Sequence, residues 1–121
     1  MNRATLEVPA VPPSLNAVGY RSHWSAGRKL KREWEQMLGT ALMVAQVPRG
    51  IDTVSATAEI HFKQKRRRDP GNFRVILEKA LGDILQQGWI VDDTAEFFSF
   101  GVVQLVAPSP EPLTLIHLDY R

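Results

Sequence analysis

Apolar residues recur along this chain with two different periods, and each period predicts an element. Between 52 and 63, Val54, Ala56, Ala58, Ile60 and Phe62 alternate with Ser55, Thr57, Glu59, His61 and Lys63. A period of two puts one set on each side of a pleated backbone, so the segment reads as a half-buried strand with His61 on its polar face. Leu30, Trp34, Met37, Leu38, Ala41, Leu42 and Ala45 repeat at helical spacing instead, which predicts an amphipathic helix over about 26–46 with Trp34 in the core. Ser25 is placed to cap its start and Pro48 forces its exit. Phe73, Ile76, Leu77, Ala80, Leu81, Ile84 and Leu85 predict a second helix over about 73–87. Asn72 stands at its cap, and Gly88 suits a left-handed position beyond its end.

The remaining segments complete the order. Residues 3–9 read as a short strand. Pro12 and Pro13 then stiffen a turn, because each ring fixes its own φ and biases the residue before it toward an extended form. Residues 16–25 read as an irregular loop. Two strands close the chain, over about 97–107 and 113–120, separated by the proline-rich 108–112. The order β-α-β-α-β-β predicts one α+β domain over 1–121, a mixed sheet with two helices. A length of 121 residues suits a single core.

Composition removes several chemistries. With no cysteine there is no disulfide framework, thiol nucleophile or cysteine-held zinc. The three histidines, His23, His61 and His117, lie far apart in sequence. No apolar run approaches the roughly 20 residues that span a bilayer, and the first ten residues lack the apolar centre of a secretory signal. The sequence therefore reads as a cytoplasmic protein with no membrane partner.

Charge changes the picture more than composition does. The net charge is only +2, but five of the 15 basic residues, Arg21, Arg28, Lys29, Lys31 and Arg32, fall within 21–32. Five more, Lys63, Lys65, Arg66, Arg67 and Arg68, fall within six positions. The first cluster opens a helix, against the helix dipole. Carboxylates follow the second: Asp69, Glu78, Asp83, Asp92, Asp93 and Glu96. Charge runs are commonly no more than solvated faces. Cations beside carboxylates also suit a protein that grips phosphates and holds a cation near them.

The stretch Arg66-Arg67-Arg68-Asp69-Pro70-Gly71-Asn72, with the helix behind it and the later Asp92-Asp93, sharpens that reading. Arginines take phosphate oxygens two at a time, and N–H groups at a helix start favour anions. Mg²⁺ is usually held by one or two carboxylates together with phosphate and water, and there it activates water and stabilises a leaving oxygen. The plainer alternative is an aspartate that caps the helix and pairs with an arginine.

On these residues the chain resembles the RusA family of Holliday-junction resolvases, small nucleases of phages and prophages. The likeness covers most of the chain. It runs from Pro12-Pro13-Ser14-Leu15-Asn16 through the basic run into Arg68-Asp69, Asn72, and the helix bearing Lys79 and Asp83, to Gly88-Trp89 and Asp92-Asp93. The resemblance implies a metal-dependent endodeoxyribonuclease of RusA-like fold that acts on branched DNA such as four-way junctions, as a homodimer with Mg²⁺ or Mn²⁺. It implies Asp69 and Asp93 as catalytic metal ligands, with Asp92 alongside and Lys79 offsetting charge at the scissile phosphate. Lys65, Arg66, Arg67, Arg68 and Asn72, together with Arg28, Lys29, Lys31 and Arg32, would grip the DNA backbone.

One position departs from the family pattern, in which Asp-x-Asp-Asn follows the arginines: Gly71 occupies the place of the second aspartate. Three accounts stand open. Asp69 and Asp93 suffice as a pair; Glu78 or Asp83 fills the gap; or the chain binds junctions without cutting them. Geometry adds a condition. A helix of about 15 residues is roughly 22 Å long, so Asp69 and Asp93 share an ion only if the loop before the helix folds back along it, or if a second subunit supplies one of them. Lys79 and Asp83 are spaced for a surface ion pair, the alternative to a phosphate contact. Tyr20, His23 and Trp24 are candidates for base stacking, or Trp24 for an apolar staple at the helix entrance. Phe97, Phe98 and Phe100 are expected to pack the sheet or line a dimer interface. A basic RNA-binding domain is a third reading.

Overall fold

A computed structural model describes residues 1–14 and 24–121, with only the backbone described for 24–27. Tyr20, Arg21, His23 and the Trp24 side chain lie outside the described residues, as do Leu15 and Asn16. The elements are β1 (Asn2–Val8), α1 (Trp24–Val44), β2 (Val54–His61), α2 (Gly71–Leu85), β3 (Phe98–Val106) and β4 (Leu113–Tyr120). The domain is α+β in the order the hydrophobic pattern predicts.

The four strands form one mixed sheet in the order β1-β4-β2-β3. β4 runs antiparallel to both β1 and β2, and β2 runs parallel to β3. A parallel pair needs a crossover, and α2 is that crossover. One sheet face carries Leu6, Val8, Val54, Ala56, Ala58, Ile60, Ile116 and Leu118, all buried. α1 lies over the β1 side and α2 over the β3 side of this face, packed against each other. Their apolar stripes, Trp34, Leu38 and Leu42 from α1 with Leu77, Leu81 and Leu85 from α2, complete the core. The two helices come close at Gly39, where a methyl group would meet Ile84 at 3.4 Å.

Helix boundaries differ from the pattern in three informative ways. α1 begins at Trp24, so Ser25 lies inside the helix rather than at its cap. α1 ends two residues early because Gln46 takes φ 57°, and the bonds Val47 N–H to Leu42 O and Gln46 N–H to Met43 O close the last turn ahead of Pro48. Asn72 does not cap α2: it sits in the first turn, and the Asp69 Oδ1 oxygen accepts from the Gly71 N–H at 3.0 Å. Beyond α2, Gly88 has φ 108°, as its position past the helix end suggested. Phe98 and Phe100 are buried in edge-to-face contact, centroids 6.4 Å apart, so they pack the core under the helices.

Candidate nucleic-acid interface and carboxylate centre

Just past the end of β2, Phe62 is buried in the core, and the chain then leaves the sheet as Lys63-Gln64-Lys65-Arg66-Arg67-Arg68. Lys63, Lys65, Arg66 and Arg67 are exposed, and Arg68 is half-buried with its guanidinium 3.8 Å above the Phe62 ring. Gln64 organises the run: its Oε1 accepts from Arg66 Nη2 at 2.8 Å and its carbonyl from Arg68 Nη1 at 3.0 Å. Among the described residues, no carboxylate is ion-paired with any of these five cations. Asp69 does not pair with them either; its oxygen is directed at the helix entrance. Cations that the fold leaves uncompensated have an unspent demand for anions, whereas the N–H groups that open α2 are taken: Gly71 by Asp69 Oδ1, Asn72 by the Asp69 carbonyl and Phe73 by the Pro70 carbonyl.

The first basic cluster fares differently. Lys31 is held by Asp83 across the interhelix contact and by Glu35 at 3.3 Å on its own helix. The hydrogen bond that Lys31 donates to Asp83 raises the Lys31 pKa above its ordinary 10.5, against the opposing pull of burial and with help from Glu35. Lys31 thus joins α1 to α2 rather than presenting its charge to a ligand. Asp83 is committed to Lys31, so the i,i+4 pair with Lys79 does not form, and Asp83 is not spare to replace the carboxylate missing at Gly71. Lys29 and Arg32 are exposed, and so is Arg28.

The carboxylates sort by their place along α2. A methyl carbon built on Gly71 would stand 3.4 Å from Asp69 Oδ1. One built on Gly82 would stand 3.3 Å from Asp93 Oδ2 and 3.3 Å from the Phe98 ring. Gly82 is buried because the 91–97 connection crosses directly over it. Eleven residues separate these two glycines, which is about 16 Å of helix rise and a displacement of only about 20° around the axis. Both carboxylates therefore face one stripe of α2, at opposite ends and roughly 10 Å apart or more. Two oxygens on a single Mg²⁺ lie within about 4 Å of each other, twice the metal–oxygen distance. Within one chain Asp69 and Asp93 do not meet at one ion; the loop before α2 does not fold back along the helix.

Other members of the expected set lie near one carboxylate or the other. Asp92 is half-buried, and its Oδ1 accepts from the Asp93 N–H at 2.8 Å, which fixes the doublet's turn. Lys79 is exposed one turn before Gly82, on the side facing Asp93. Glu78 shares that side and sits 3.9 Å from Arg74, whose Nη2 also donates to the Phe100 carbonyl at 2.7 Å. Sequence reasoning passed over Arg74; its i,i+4 spacing to Glu78 was the available signal. Among the described residues, no three His, Asp or Glu side chains gather as a metal site.

The open face of the sheet holds a second polar group. His117 on β4 bonds to Glu59 on β2 at 2.5 Å and to Thr5 on β1 at 3.1 Å, and His61 lies 3.8 Å from Glu59 and 3.4 Å from Ser109. His117, Glu59 and Thr5 bond to one another across adjacent strands, whereas, among the described residues, the buried His61 Nε2 has no hydrogen-bond partner. Among the described residues no helix is long and apolar enough to cross a membrane. No protein-family model matches the chain, and no curated protein is similar to it.

Proposed function

We propose that this protein acts on branched DNA as a structure-selective, metal-dependent endonuclease of the RusA type. The observation that carries the reading is the run Lys63–Arg68: five cations without an acidic partner among the described residues, leading straight into Asp69 and the start of α2. Phosphates are the matching anions, and backbone contacts of this kind favour shape over base sequence. Lys65, Arg66, Arg67 and Arg68 supply the grip, with Lys29 and Arg32 extending it from α1. Asp69 and Asp93, with Lys79 near the second, are the candidates for the cleavage chemistry. Mg²⁺ or Mn²⁺ would polarise the phosphate and supply the hydroxide. The carboxylates of one chain do not fit a single shared ion, so no cleavage step is assigned to an Asp69–Asp93 pair within a chain.

That separation, together with Gly71, favours a specific second reading: a junction-binding protein that does not cut. The two readings part on a labelled synthetic four-way junction, incubated with Mg²⁺ or Mn²⁺ against EDTA, alongside Asp69→Asn and Asp93→Asn. Paired symmetric nicks that need the metal and disappear in both variants support the nuclease. Salt-sensitive junction binding without a nick under either metal supports the binder, and equal affinity for linear duplex of the same sequence removes both.

A further inference from the structure

The fold holds its cations in two different ways. Lys31 is held by carboxylates, Asp83 and Glu35, which offset its charge where it sits. Arg66 and Arg68 are held by neutral groups. Arg66 Nη2 donates to the amide oxygen of the Gln64 side chain at 2.8 Å, and Arg68 Nη1 donates to the Gln64 main-chain carbonyl at 3.0 Å. The Arg68 guanidinium also rests 3.8 Å above the Phe62 ring. An amide oxygen, a carbonyl and a ring face each fix the direction of a guanidinium, and none of them cancels its charge.

The support beneath this arrangement is firm. Phe62 is buried, its N–H donates to the Val106 carbonyl at 2.8 Å, and its own carbonyl accepts from the Ser109 N–H at 2.9 Å. Its ring packs on Phe73 of α2, with centroids 5.3 Å apart. At the far end the Asp69 carbonyl accepts from the Asn72 N–H at 3.0 Å. The run is tied at both ends, and Gln64 ties its middle. Two like charges are thereby drawn to one residue, and no carboxylate among the described residues pairs with either.

We propose that Gln64 is a positioning residue, which holds Arg66 and Arg68 as a preformed cradle for one phosphate of the DNA backbone. Each guanidinium spends one nitrogen on Gln64 and keeps the rest of its donor fork for the oxygens of the anion. A phosphate between them relieves the repulsion that the fold has built in. Because the side chains are ordered beforehand, binding gives up less of their freedom, and the gain falls on dissociation rather than on encounter. The exposed Lys63, Lys65 and Arg67 add attraction at longer range. The amide matters because it supplies order without neutralising the charge it orders. This inference rests on the reading of the run as a phosphate grip, and it names the residue that shapes that grip.

Two readouts test it, and one of them needs no DNA. Trypsin cuts after lysine and arginine where the chain opens locally, so its rate within 63–68 on the native protein reports how firmly the run is held. Gln64→Met keeps the length of the side chain and every cation but removes the acceptor. It is expected to be cut about threefold to tenfold faster, the worth of one hydrogen bond, and to release junction DNA faster by a similar factor. Its slope of log affinity against log salt is expected to match that of the unaltered chain, because no cation is lost. Gln64→Glu keeps an acceptor and adds a negative charge, so it is expected to stay protected from trypsin while its salt slope falls by about 0.9. A Gln64→Met chain as resistant to trypsin as the unaltered one overturns the inference, even where the unaltered chain binds junctions tightly. So does faster cutting with unchanged release of DNA, which makes Gln64 a structural residue only, and so does a Gln64→Glu chain with an unchanged salt slope. Faster cutting of Gln64→Met beside an unaltered chain that binds no junction DNA overturns instead the reading of the run as a phosphate grip, and the cradle with it.

Discussion

Gly71→Asp is the most informative single change, because it tests whether one missing carboxylate limits this centre. Gly71 has no left-handed φ, and its added carbon would make ordinary contact with Asp69 Oδ1 at 3.4 Å. The substitution therefore fits, and it places a second carboxylate within about 5 Å of the first. At that distance the repulsion is about 1–3 kcal/mol for an effective dielectric between water and protein surface. The helix start returns about 0.3–1 kcal/mol to a negative group in its first turn. Without metal the variant is thus expected to lose about 1 kcal/mol, or about 3–6 °C in Tm for a domain of this size. Saturating Mn²⁺ reverses the sign: an ion present at 100 times its Kd stabilises by about 2.7 kcal/mol. The assay is thermal unfolding by circular dichroism, in EDTA and in Mn²⁺, for the unaltered chain, Gly71→Asp and the uncharged Gly71→Asn. Only Gly71→Asp is expected to melt lower in EDTA and higher in Mn²⁺. An Asp variant whose metal response matches the Asn variant refutes the reasoning, because the pair would then not meet at an ion.

Neutralising Lys65, Arg66 and Arg67 to Gln should lower the slope of log affinity against log salt for junction DNA, measured by fluorescence anisotropy, by about 0.9 for each phosphate no longer neutralised. Lys31→Met should remove a pH-dependent share of stability. The folded Lys31 pKa is raised, so its contribution is complete below the ordinary 10.5 and disappears as pH rises through the folded value. The unaltered chain should therefore lose Tm more steeply than Lys31→Met above that pH. Leu81→Ala, at a fully buried position between the helices and the sheet, should cost about 2–5 kcal/mol in urea unfolding while the folded variant still binds junction DNA.

Much of the fold was legible as period. The alternation of 54–62 on a two-residue repeat gave β2 and its buried face, and the 3.6-residue stripes gave both helices, because burial of one side is written into every turn of a regular element. Caps were less legible. Asn72 and Asp69 are both residue types that accept from a helix start, and only the path of the chain through Pro70 decided that Asp69 does so. The charge clusters were visible, but not their fates. Lys31 and Lys65 look alike in sequence, and one is spent on Asp83 while the other stays exposed.

The sequence by itself determined the element order, the single core, the exclusion of thiol chemistry and the presence of a dense basic run before α2. Each follows from local spacing or composition. The tertiary structure decided that, among the described residues, this run keeps no acidic partner, that β1 and β3 take the two edges of the sheet, and that Asp83 locks Lys31. It also decided that Asp69 and Asp93 stand at opposite ends of one helix stripe. Those outcomes depend on which residues distant in the chain become neighbours, and a pattern that repeats every two or 3.6 residues carries no record of that.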